Sequence, residues 1–232
     1  MDGTILKPDA AKCESCETCT GCEEEQLTAG LPIPESLAAP ELFHYYLDLS
    51  ERIFWINDVI DDGFTYIIQN IVHMNKIDAG TPADERSPIY LLINSVGGDL
   101  DMMWSLIDAI QTSKTPVVTI CMGYAYSAAL MVMLAGHKRY IMPHARVMIH
   151  DGSASLDGDF ASVGLNYTLW SESVKADRDY IIERTNITAD DLDDKLGTIA
   201  NHMGKDWFIK SKEAVDLHIA DSVIDDIEAV FK

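Results

Sequence analysis

Between Ile89 and Ile149 short apolar runs alternate with segments of helical periodicity, a pattern that few architectures accept. Ile89 to Ile93 is one apolar run, and Asn94 to Gly98 turns the chain after it. Met103, Leu106, Ile107 and Ile110 then recur at helical spacing. Val117 to Met122 reads as the next buried strand, with Gly123 opening a turn and Ala128 to Ala135 forming an apolar helix. Tyr140 to Met142 and Val147 to Ile149 read as two more strands. Strands that alternate with helices imply parallel βαβ units with right-handed crossovers. Upstream, Arg52 to Ile56 fits a first strand, a helix runs to about Met74, and Lys76 to Ser87 reads as a loop. Downstream, Phe160 to Arg184 and Ala189 to Ile199 read as helices.

The chain has 232 residues, which suits one domain with an appendage. Residues 1–40 differ from the rest: they hold Cys13, Cys16, Cys19 and Cys22, the acidic run Glu23 to Glu25, and Pro32 and Pro34. Little there can form a core, so this segment reads as an acidic, mobile or removable tail, and 41–232 as the folded domain. The formal charge is −21, from 17 basic and 38 acidic residues, which argues against nucleic-acid and anionic-membrane surfaces. No run of about 18 apolar residues is present. The first residues lack the basic and apolar regions of a secretory signal, so a cytoplasmic protein is expected. Cys121 stands alone in an apolar run and reads as a core residue.

Three places point to chemistry. Ser127 stands where the strand ending near Met122 gives way to the helix starting at Ala128. A helix N-terminus offers free amides and a positive dipole end, both suited to an oxyanion. On its own the segment favours a plain N-cap, because capping serines far outnumber catalytic ones. Gly97 and Gly98 end the preceding strand, where a backbone amide can approach a ligand closely; an ordinary tight turn would look the same. His150 ends the strand Val147 to Ile149 at the same sheet edge, placed to act as general base. The other six histidines lack this placement. A carboxylate must orient the imidazole, and spacing alone leaves Asp151, Asp206 and Asp221 open.

From about Leu47 to Asp225 the chain resembles the ClpP family of self-compartmentalising serine peptidases. The resemblance is carried by Ile89 to Gly98, by Cys121 to Ser127, by Arg146 to His150, and by Asp206-Trp207-Phe208 followed by Glu213 to Val215 and Ile219 to Asp221. It implies an α/β, crotonase-like fold of repeated βαβ units with a protruding handle helix near Phe160 to Arg184. It implies Ser127 as nucleophile, His150 as base, Asp206 as orienter, and the amides of Gly98 and Ala128 as the oxyanion hole. It also implies a serine endopeptidase acting on proteins or peptides, with no cofactor for catalysis. The assembly expected is a homo-oligomer of two stacked seven-membered rings fed by a Clp-type AAA+ ATPase. This chain departs from the family pattern in having Val96 before the two glycines, a shortened stretch near Gly136 to Tyr140, and an unrelated N-terminal segment.

The uniform spacing Cys13-x-x-Cys16-x-x-Cys19-x-x-Cys22 could supply thiolates to zinc or an iron–sulfur cluster, although zinc sites usually place a longer loop between two pairs. The plainer alternative is a solvated tail with accessible thiols. Three further functions compete with cellular proteolysis: an acyl-CoA-processing enzyme of the same fold, a non-catalytic ring subunit, and a viral capsid-maturation peptidase that works without an ATPase.

Overall fold

The computed structural model describes residues 47–153, 155, 157–199, 201–202 and 205–231. Cys13, Cys16, Cys19 and Cys22, and with them the tail over residues 1–40, lie outside the described residues. Among the described residues no helix is long and apolar enough to cross a membrane.

The strands are β1 (Ile53–Ile56), β2 (Ile89–Ser95), β3 (Val117–Tyr126), β4 (Lys138–Ile141), β5 (Arg146–Ile149), β6 (Gly197–Thr198), β7 (Asn201–His202), β8 (Trp207–Lys210) and β9 (Ser222–Val223). The helices are α1 (Thr65–Ile77), α2 (Leu100–Gln111), α3 (Ala128–Ala135), α4 (Phe160–Arg184), α5 (Ala189–Leu196) and α6 (Ser211–Asp216). Seven strands form one sheet in the order β1-β2-β3-β4-β9, with β5 and β8 branching from β3. Among the described residues the pairs of this sheet are parallel except β5 with β8, while β6 and β7 form a separate antiparallel pair.

The branch follows from the length of β3. Its first half, Val118 to Cys121, pairs with β4, and its second half, Tyr124 to Tyr126, pairs with β5. The expected turn at Gly123 is therefore absent: Gly123 lies inside a continuous strand, where the register against β2 shifts between Ile93 and Ser95. A side chain there would strike Asn94 Oδ1, 2.6 Å from the ideal Cβ position. Glycine marks an irregularity in the ladder rather than the end of the strand.

The sheet is covered on both faces, which is why β2 is apolar at successive positions. Ile89, Leu91 and Ile93 join the main core with α1, α2 and α3, whereas Tyr90 and Leu92 join Val118, Ile120 and Ile224 on the other side. Every residue of α3 is buried, so it carries no polar face. The first half of α4 leaves the body: Phe160 is 98% exposed, and Leu165, Tyr167 and Leu169 are more than half exposed. Its second half returns, docking Val174, Tyr180 and Ile181. α5 ends at Leu196, earlier than its sequence suggested, because Gly197 takes a positive φ of 92° and begins β6.

Candidate active site

β3 runs directly into α3, and Ser127 is the single residue between them. Its backbone has φ 53° and ψ −126°, a conformation that disfavours any side chain and costs on the order of 1–3 kcal/mol. The strain accompanies a change of direction that lifts the hydroxyl off the sheet edge. Ser127 occupies the cap position of α3, yet its side chain makes no capping hydrogen bond. Its Oγ lies 2.8 Å from His150 Nε2 instead. Its amide donates to the Met148 carbonyl at 3.0 Å, which ties the end of β3 to β5.

His150 follows β5 and Asp206 precedes β8. The antiparallel register pairs Ile149 with Trp207, so the next pair outward is His150 with Asp206. Asp206 Oδ1 stands 3.5 Å from His150 Nδ1, within ion-pair range and longer than a hydrogen bond. The other two candidate orienters are occupied. Asp151 accepts from Arg178 Nε and Nη2, both at 2.7 Å. Asp221 accepts from the Arg139 amide at 2.9 Å and lies 3.6 Å from its guanidinium.

Gly97 and Gly98 close the other side. A Cβ on Gly97, where φ is 97°, would come within 2.7 Å of the Tyr126 carbonyl and 2.9 Å of Ser127 Cβ. A Cβ on Gly98 would run into the backbone of Ile60. The Gly97 carbonyl and the Asp99 amide both bond to Ile60, at 2.8 Å each. Along an extended segment alternate residues bond to opposite sides, so the Gly98 amide points away from Ile60, toward the side where β3 and Ser127 lie. Ala128, the first residue of α3, contributes a second amide, because first-turn amides have no partner within their own helix.

These groups open on a cavity of about 480 Å³. It is lined by Gly97, Gly98, Ser127, Ala128 and His150, by apolar side chains from α2, α3 and α4, and by Asp177. Sequence reasoning missed Asp177 and Arg178, which sit in a charged stretch of α4 with the look of a solvated face. Arg178 is buried and also donates to Asp193 and the Gly197 carbonyl, at 2.7 Å each. Burial, and then repulsion from Asp151, push the Asp177 carboxyl up to about 6, while hydrogen bonding from Trp104 works the other way. Cys121 is buried as expected, and burial raises its thiol to about 12, so it is protonated at neutral pH.

A family model described as Clp protease matches residues 41–227. The chain belongs to the Clp protease family. An ATP-dependent Clp protease proteolytic subunit from Bigelowiella natans is 27% identical over 177 residues, covering 75% of this chain and 84% of the relative. The fold is accordingly the crotonase-like α/β fold of Clp peptidases, with the branched sheet as its base and α4 as the projecting handle.

Proposed function

We propose that the chain is a serine endopeptidase that cleaves peptide bonds through an acyl-enzyme. The observation that carries this reading is the 2.8 Å approach of Ser127 Oγ and His150 Nε2 at a strained strand-to-helix corner. Asp206 beside Nδ1 favours the tautomer with its proton there, which leaves the Nε2 lone pair facing the hydroxyl. His150 takes the Ser127 proton as Oγ attacks the carbonyl carbon, and the amides of Gly98 and Ala128 receive the oxyanion. His150 then passes the proton to the leaving amine, and water attacks the acyl-enzyme by the same route. An acyl-CoA enzyme on this fold would use the two amides without needing the serine–histidine contact.

The same proposal extends to assembly. The exposed Phe160, Leu165, Tyr167 and Leu169 on the projecting half of α4 suit packing between two rings, each of seven subunits, that enclose the sites. The relative's ATP-dependent designation supports an AAA+ ATPase as the partner that feeds unfolded chains. Ser127→Ala is expected to abolish hydrolysis of an unfolded protein such as casein while the oligomer keeps its mass in solution. Undiminished hydrolysis by that variant would remove the proposal.

A further inference from the structure

The cavity in front of Ser127 has apolar walls, including Met103, Met131, Val174 and Ile181, and two aspartates, Asp151 and Asp177, also line it. Among the described residues no lysine or arginine lines it. Asp177 Oδ1 is closed off from solvent and has no hydrogen-bond partner among the described residues. Its neighbour cannot serve it: Arg178 spends its donors on Asp151, Asp193 and the Gly197 carbonyl. Lys175, on the same helix, is 69% exposed and faces Asp179. Trp104 serves the carboxyl group, yet Oδ1 is left without a donor; a carboxylate so poorly satisfied in an apolar wall is costly, and packing alone would place an aliphatic residue there. An under-satisfied carboxylate lining the same cavity as Ser127 points to a cationic partner brought by the substrate.

We propose that Asp177 determines specificity in this cavity, selecting a lysine or arginine side chain on the substrate residue whose carbonyl meets Ser127. The inference rests on the proposal that Ser127 is the nucleophile. The apolar walls take the methylene stem, and the ammonium or guanidinium meets the negative charge of Asp177 at the cavity wall. Asp151 does not compete for the cation, because Arg178 already neutralises it. Asp177 therefore acts by charge, and its action depends on being ionised. The groups that bear on it are Asp151 from the segment after β5, Trp104 from α2, and His150 across the same cavity.

The test uses the full chain and two coumarin-amide peptides that differ only in lysine or norleucine before the scissile bond. Norleucine keeps the stem and lacks the ammonium. At neutral pH the lysine peptide is expected to have the higher kcat/KM by about tenfold or more, because a site built around a polar contact rejects the analogue that lacks it. Asp177→Asn is expected to bring that ratio close to one. In the unaltered chain the ratio climbs with pH through about 6, as Asp177 loses its proton. A pH effect on the chemical step common to both peptides cancels from the ratio. A ratio at or below one in the unaltered chain, or an unchanged ratio in Asp177→Asn, overturns the proposal. If the variant does not fold, the ratio and its pH dependence in the unaltered chain decide. A fluorophosphonate run in parallel separates the two levels. Labelling at Ser127 without lysine preference overturns the specificity alone; absence of labelling there removes the nucleophile, and the specificity falls with it.

Discussion

Gly98 serves two neighbours at once. Its segment bonds to Ile60 on one side, and its own amide faces the Ser127 side on the other. A side chain would collide with the Ile60 backbone, and the positive φ of 156° adds strain. Gly98→Ala should therefore push the strand end out of place and turn the amide away from the oxyanion. Loss of one such donor costs about 10²–10³ in rate, so kcat on a peptide substrate is expected to fall by about 10²-fold or more. A variant with unchanged kcat would show that this amide does not receive the charge. That Ser127, His150 and the glycine pair share one edge was legible in the sequence because parallel strand ends gather there, but the residues alone favoured a plain N-cap for Ser127, and only the family resemblance singled it out. Spacing could not choose between Asp151, Asp206 and Asp221. The choice depends on which carboxylates arginines already hold, and Arg178 and Arg139 are distant in sequence from the acids they bind.

Among the elements, α4 has two tasks divided along its length. Its first half stands clear of the body, and its second half is pinned by Arg178, whose side chain is 7% exposed. That guanidinium joins the segment after His150 to α5 and to the start of β6. Its removal takes from the Asp151 carboxylate, 10% exposed, the guanidinium with which it is paired. Breaking a buried pair in this way costs about 3–5 kcal/mol. Arg178→Met is expected to lower unfolding stability by about that amount, read from the midpoint and slope of urea denaturation. A loss of less than about 0.5 kcal/mol, the usual range for surface changes, would mean the contact carries no weight. The element order was readable from periodicity, whereas the branch in the sheet was not. β3 changes partner midway, and the residue that marks the change, Gly123, looks in sequence like a turn. A period-two pattern reports which face is buried and says nothing of which neighbour each half of a strand adopts.

At the scale of the whole molecule, the site belongs to no single segment. Gly98, Ser127, His150 and Asp206 follow β2, β3 and β5 and precede β8, and only the folded sheet brings them to one edge. Reactivity at Ser127 should therefore be a property of the native state, since a free serine hydroxyl is a weak nucleophile. The measurement that tests this most directly is intact-mass spectrometry of the full chain after exposure to a fluorophosphonate, native and in urea, with the modified residue mapped by peptide sequencing. One adduct per native chain, on Ser127, is expected; it should be absent in urea and absent in Ser127→Ala. A native chain that takes no adduct, takes it on another residue, or reacts equally fast when unfolded would contradict the account.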